Sequence, residues 1–285
     1  MQSATEKQIP KKPALSISAI DMLSKCGEQY RRRYIEKERL PPGIALLVGK
    51  AVDGAVNANL QYKMVAHELL PLEQVRSVAR DTFAFAWSTE EVHLTDEERK
   101  QGTGKSKGEA IDKTVRLAEL HAEKVAPQLQ PTAVQRKWTL ELPRYPMDLT
   151  GYTDIEEGAT VRDTKTSHKS PRADEAELSD QLTLYALAKR VLDKQEDVIP
   201  VALDYLVDLK TPKVEVRTST RSLEDFQIML RRIEVAQAAI EKGAFVPARQ
   251  SDWWCSEKWC GYSRTCPYFR RPVSIAVPES LIEGE

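Results

Sequence analysis

Apolar positions along the 285-residue chain change their period twice. Ile20, Leu23, Tyr30 and Tyr34 recur at helical spacing, which predicts a helix over 19–36 with Ser16 or Ser18 as its cap. Pro41-Pro42-Gly43 breaks the chain. A second helix, rich in Ala, Val and Leu, is expected from Leu46 to about Tyr62. Residues 68–126 read as further helices interrupted by the polar loop TDEERKQGTGKSKGEA at 95–110. From about 133 the period becomes two. The segments 133–142, 148–156 and 159–166 read as three strands with short turns, one of them at Glu157-Gly158. A helix over about 175–192 follows, then strands at 201–209 and 213–219 across a turn at Lys210–Pro212. Ser222 and Asp225 form a capping box for a last helix that Gly243 is placed to end. Helix, three strands, helix, strand is the order of an α/β core, here with an all-helical insertion.

Composition narrows the class. An apolar content of 41% supports a core, and 30% charged residues is not a disorder signature. No apolar run approaches the ~18 residues of a membrane span. The opening MQSATEKQIPKKP has no apolar stretch behind its basic residues, so no signal peptide is expected and the expected compartment is the cytoplasm. Lys and Arg total 42 against 43 Asp and Glu, a net charge of −1. That excludes a uniformly basic nucleic-acid coat, whose affinity comes from neutralised phosphates. Local basic runs remain at Arg31–Arg33, at Lys165–Lys169 with Arg172, and at Arg270-Arg271. Each taken singly also fits a solvated face. Gly102-Thr-Gly104-Lys105-Ser106 resembles the end of a phosphate-binding loop. Arg99 stands where its first glycine belongs and no apolar strand precedes it, so it reads as a flexible surface loop.

Four cysteines stand as one early residue, Cys26, and a late trio, Cys255, Cys260 and Cys266, spaced C-x4-C-x5-C. In a reducing compartment such a grouping favours a metal centre over two disulfides. Four thiolates satisfy either a tetrahedral Zn²⁺ or an iron–sulfur cubane. One distant cysteine plus a trio is unlike paired zinc knuckles, although scattered free thiols stay open. The four histidines (His67, His93, His121, His168) show no mutual ligand spacing. Trp253-Trp254, just before Cys255, suits either packing around a metal centre or stacking on bases.

Asp154 lies in the second strand and Asp163 in the third. Two carboxylates on antiparallel strands joined by a tight turn can converge at one sheet edge. Strand alternation puts Asp163 and Lys165 on the same face. Two carboxylates and a lysine would bind Mg²⁺ or Mn²⁺ through hard oxygens and set an amine beside an attacking water. Alone, Asp-x-Lys is a common exposed strand pair. Gln181 and Tyr185, four apart on the following helix, share one helical face and can point at the same place. Alone, they are equally a polar and an amphipathic residue on a surface helix.

Gly151-x-x-Asp154, Asp163-x-Lys165 and Gln181-x-x-x-Tyr185, in this order, resemble the PD-(D/E)XK nuclease superfamily. More narrowly they resemble its RecB-like exonuclease branch. Leu15-Ser-Ile-Ser18, Cys26 with its aromatic, basic helix, and Cys260-Gly-Tyr262 with a proline after Cys266 are similar to the members with four cysteines. These are the AddB nuclease and the CRISPR-associated adaptation exonucleases. The resemblance covers 15–62 and 133–269 but not the insertion. It implies a restriction-endonuclease-like core, Asp154 and Asp163 as Mg²⁺ or Mn²⁺ ligands, Lys165 as the catalytic lysine, and Gln181 and Tyr185 as positioning residues. Cys26, Cys255, Cys260 and Cys266 would hold a structural 4Fe–4S cluster. The family's first-helix histidine is replaced: Gly49-Lys-Ala-Val-Asp53 offers Asp53, a harder ligand that still suits either ion. Glu141 is a further acidic candidate.

The expected organisation is a disordered tail over 1–13, N-terminal helices over 14–67 and a helical insertion over 68–132. The nuclease core would take 133–221, the C-terminal helix and cysteine cluster 222–270, and a second tail 271–285. The implied activity is metal-dependent exonucleolytic hydrolysis of DNA, at single-stranded ends, in repair, recombination or phage DNA processing. A non-catalytic DNA-binding subunit and a nuclease working inside a larger recombination or CRISPR-adaptation complex are the alternatives. No membrane partner is implied.

Overall fold

The computed structural model describes residues 12–195 and 197–269. Most of the two terminal tails, with Arg270-Arg271, lies outside the described residues. Lys12 is nevertheless tied to the carbonyls of Leu142 and Tyr145, and Pro13 accepts from the Asp148 N–H.

The elements in order are β1 (Ala14–Leu15), α1 (Ile17–Lys25), α2 (Gly27–Tyr30), α3 (Ile44–Ala66), α4 (Leu72–Thr89), α5 (Asp96–Gln101) and α6 (Thr103–Lys124). Then come β2 (Ala133–Leu140), β3 (Asp148–Glu157), β4 (Thr160–Ser167), α7 (Asp180–Leu192), β5 (Ile199–Val207), β6 (Lys213–Arg221) and α8 (Leu223–Glu241). Among the described residues, one mixed sheet holds every strand. β2–β3, β3–β4 and β5–β6 are antiparallel, whereas β4–β5 and the short β1–β3 contact are parallel. β5 lies beside the long crossover α7 and is covered on both faces, hence its near-continuous apolar run. Three layers result. Leu149, Val161, Val201 and Leu203 pack against α1, α7 and α8 on one side. Ile155 and Leu206 pack against α3 and α6 on the other, and α4 closes the outside of that layer.

Three expectations are corrected. The single helix over 19–36 is broken at Cys26, whose extended backbone (φ −161°, ψ 107°) ends α1; the second half finishes in a π-helical turn at Arg31–Ile35. The break lets Gly27 meet the backbone of Phe245–Val246, where a Cβ would lie 2.5 Å from main-chain atoms. The polar loop at 95–110 is mostly helix. Thr95 and Glu98 form a capping box that starts α5, and Gly102, at φ 98°, interrupts it for one residue before α6 begins. Gly102–Ser106 is thus a helix junction and not a phosphate cradle. The helix expected from 175 begins at Asp180, where the Ser179 side chain caps it.

The sheet has one irregularity that alternation alone does not predict. Trp138, Leu140 and Leu149 pack toward α7, while Val134 and Ile155, an even number of residues away, pack toward α3 and α6. Strict alternation would put them all on one face. The pleat therefore reverses between them, and Gln135, left-handed at φ 53°, sits at the reversal. β3 and β4 pair over only three positions, ending at Ile155↔Arg162. Leu149 already pairs with β1 as well as β2, so the edge of β3 facing β4 is open between these contacts.

Candidate active site and cysteine pocket

The register that ends at Ile155↔Arg162 makes Asp154 and Asp163 face each other at the next position, where the two strands part. Opening the ladder there leaves room for side chains of both flanking layers to reach one point. From α3 comes Asp53; from α7 come Gln181 and Tyr185. Asp163 is fully buried and Asp154 half-buried. Burial first, and then the charge of Asp163, raises the Asp154 carboxyl to about 9; Asp53 adds to the rise. Burial and the same Asp163 charge also raise Asp53. Three carboxylates thus lie within one another's field, and Lys165 is the cation that opposes them. Its Nζ lies 2.7 Å from Asp163 Oδ2. With all three acids ionised, three carboxylates and one lysine carry an unbalanced formal charge of −2, which a divalent cation would cancel.

α7 supplies the frame. Lys165 Nζ donates to Gln181 Oε1 (2.8 Å), and Gln181 Nε2 donates to Asp163 Oδ1 (3.1 Å) and to the Tyr185 hydroxyl (2.7 Å). One amide therefore sets the positions of an acid, the lysine and a phenol at once. Burial and the nearby Asp154 push Tyr185 above the usual phenol range, so its proton stays on. Gly151 explains itself here: a Cβ would stand 2.4 Å from the Trp138 ring, which lies over it and packs edge-on against Tyr185. Four residues beyond Tyr185, buried Lys189 donates to Glu156 Oε2 (2.8 Å) and Asp193 Oδ2 (3.0 Å), locking the same helix stripe to β3.

Gln135 was missed by sequence reasoning. It stands opposite Asp154 on β2, and its Nε2 donates to Asp154 Oδ1 at 3.3 Å. Its strand looks like ordinary alternation in sequence, and nothing there marks the pleat reversal that aims it. Glu141, the acid expected to assist, is exposed past the end of β2, whereas Asp154 pairs near the strand's start. His168 is exposed beyond β4.

The four cysteines, none of them in a disulfide, line one small enclosed pocket with Gln29, Tyr262 and Phe269. Burial and the charge of Cys260, Cys26 and Cys266 push the Cys255 thiol up, which reflects how closely the sulfurs gather. N–H groups aim at three of them: Ala248 N at Cys26 Sγ (3.4 Å), Gln29 Nε2 at Cys260 Sγ (3.3 Å) and Gln250 Nε2 at Cys255 Sγ (3.8 Å). Protein contacts join the two ends of the chain here. Arg32 donates to the Thr265 hydroxyl (2.7 Å) and carbonyl (2.8 Å), and the Tyr262 hydroxyl donates to the Glu38 carbonyl (2.6 Å). Among the described residues, no three His, Cys, Asp or Glu side chains are arranged as they stand to hold a metal ion.

The three-layer α/β core thus gathers acids, a lysine and a glutamine where β3 and β4 part. The sequence profile of the PD-(D/E)XK nuclease superfamily matches residues 14–267, and the protein belongs to that superfamily. In fold it is similar to the crystal structure of a "putative exonuclease" from Eubacterium rectale, at 16% identity and a TM-score of 0.50, with 100% of both chains covered. It is also aligned with the crystal structure of SSO0001 at 13% identity and a TM-score of 0.38, over 90% of this chain and 98% of that one. No curated protein matches it. No helix among the described residues is long and apolar enough to cross a membrane.

Proposed function

We propose that the protein is a Mg²⁺- or Mn²⁺-dependent deoxyribonuclease that digests DNA from single-stranded ends, as an exonuclease in repair, recombination or phage DNA processing. The observation that carries this is the meeting of Asp53, Asp154 and Asp163 with Lys165 at the parted β3–β4 edge. The chemistry of the donor set fits a hard divalent cation: three carboxylates share one site with a single opposing lysine. Asp53, Asp154 and Asp163 would hold it, and when bound it supplies polarisation of the scissile phosphate and acidification of a water. Lys165, held by Gln181, orients that water or offsets charge that develops on the phosphate. Tyr185 stays protonated and keeps Gln181 in place, and Gln135 steadies Asp154.

The cysteine pocket fits a 4Fe–4S cluster better than free thiols. Four sulfurs share one pocket, and amide donors point at them as donors to cluster thiolates do. The cluster's role is structural, joining α1–α2 to the C-terminal segment. Protein purified without oxygen and incubated with end-labelled single strands and Mn²⁺ should shorten them progressively and contain iron. No cleavage with any divalent ion overturns the nuclease; stoichiometric zinc without iron overturns the cluster.

A further inference from the structure

We propose that the cysteine-rich C-terminal segment forms an aromatic wall of the substrate cleft, with Trp254 and its neighbours Trp253 and Trp259 stacking on the unpaired bases of single-stranded DNA. The proposal rests on the nuclease reading and adds the part of the molecule that recognises the strand.

A cleft of about 580 Å³ opens beside the catalytic groups and is lined by Lys165 and Gln181 at one place and by Trp254 at another. The segment that carries the cysteines is therefore continuous with the reaction centre. Trp254 is fixed there, its Nε1 donating to the Lys25 carbonyl at 3.3 Å. From it an aromatic array runs outward. Trp253 packs edge-on against Trp254 at 5.6 Å between ring centroids and against Trp259 at 5.3 Å. Trp253 is 65% exposed and Trp259 59% exposed. Two large aromatic surfaces left in water within seven residues are costly unless something covers them. They do not serve to bury the cysteine pocket, whose lining includes none of the three tryptophans.

Charge indicates what the cover is. The cleft holds four cations, Lys25, Lys165, Arg172 and Arg232. Against them stand three carboxylates, Asp21, Glu175 and Asp180, so four minus three leaves +1. Arg172 and Arg232 are moreover engaged with Asp174 and Asp180. So weak a positive balance in the cleft lining, in a chain of net charge −1, gives phosphate contacts alone little affinity there. Stacking supplies the missing affinity without regard to sequence, and only unpaired bases present their faces to it. Lys258, over the Trp259 ring at 5.4 Å, stands ready for a phosphate of the same strand. A duplex, whose base faces are hidden, gains nothing from such a wall. The geometry thus selects single strands.

The test compares wild type with Trp254→Ala, Trp254→Phe and the doubly exposed variant Trp253→Ala/Trp259→Ala. Binding of labelled oligo(dT) and of a duplex is measured with EDTA present, so nothing is cut. Trp254→Ala should weaken oligo(dT) binding by about 5- to 100-fold with duplex binding unchanged, and Trp254→Phe should recover most of the loss. The double variant removes the two most exposed rings, leaves the Trp254 hydrogen bond to Lys25 in place, and should lose several-fold on the single strand alone, with an unchanged melt showing that the fold is kept. Oligo(dT) affinity within twofold of wild type in both alanine variants, or equal losses on duplex and single strand, overturns the proposal. Wild type that discriminates strands through these tryptophans yet cuts no DNA with Mn²⁺ supports the wall and overturns the nuclease reading instead.

Discussion

Lys189→Ala removes the one cation that is fully buried against Glu156; both side chains are 3% exposed. The lysine also meets Asp193, and Arg136 contacts Glu156 at 3.1 Å and Asp193 at 2.9 Å from a more open position. Cutting away one partner of a buried pair leaves an uncompensated charge and costs about 3–5 kcal/mol. Arg136 stays close enough to share the Glu156 charge, which places the expected loss at the lower end, about 3 kcal/mol. Unfolding entropy near ~2.1 cal/mol/K per residue gives about 0.6 kcal/mol/K for the whole chain, so Tm should fall by roughly 5 °C. Lys189 lies one turn beyond Tyr185 and two beyond Gln181, so cleavage at a fixed temperature should fall as α7 loosens. Urea and thermal melts of Lys189→Ala, Glu156→Gln and the pair Lys189→Met/Glu156→Gln check the reasoning. The double variant has no orphaned charge and should recover most of the stability. A loss below about 1 kcal/mol in Lys189→Ala, or a double variant worse than either single, would refute it.

Other positions give separate outcomes. Gln135→Gly should stabilise the fold by up to about 1 kcal/mol, because glycine adopts φ 53° freely, yet weaken Mn²⁺ affinity, because Asp154 loses its amide donor; calorimetric titration and a melt on the same sample test both halves. His121 is fully buried with neither ring nitrogen hydrogen-bonded, and burial lowers its pKa from 6.5 to about 3. The unfolded chain takes up that proton first, so stability is full above pH 6.5 and declines below it by about 1.4 kcal/mol per pH unit toward pH 3. His121→Leu should flatten that limb in urea melts at stepped pH, and an unchanged slope would exclude the assignment. Asp53→Ala should lower Mn²⁺ affinity and cleavage together, and Asp53→His should keep substantial cleavage; full activity in the alanine variant would make Asp53 a mere helix-surface residue.

The residues that meet at the parted strands were legible because their spacing is local. Asp163 and Lys165 share a face through period-two alternation, and Gln181 and Tyr185 share one through the helical repeat. Asp53 stood out as the residue at the matching place on α3. Gln135 was illegible because a left-handed residue leaves no mark in a strand's polarity pattern. The break at Cys26 was hidden because apolar spacing continues across it, the reason for the break being Phe245, far away in sequence. The Gly102 and Gly104 pair read as loop because glycine lowers helix propensity. A capping box at Thr95 and a long polar helix face outweighed it. Arg221 shows the same limit: its guanidinium, 2% exposed, donates to the carbonyls of Ala176, Glu177 and Ser179, thereby shaping the turn before α7, and only the fold reveals that use.

Lys165 is proposed to act on water and charge at the scissile phosphate, while packing and the cysteine pocket lie elsewhere. A paired gel-shift and end-labelled digestion series on wild type and Lys165→Ala therefore separates DNA binding from cleavage. The variant should stay folded, bind DNA within about 1–2 kcal/mol of wild type as after losing one phosphate contact, and cleave at least about a hundredfold more slowly. Equal cutting by the two proteins would mean that Lys165 takes no part in the reaction.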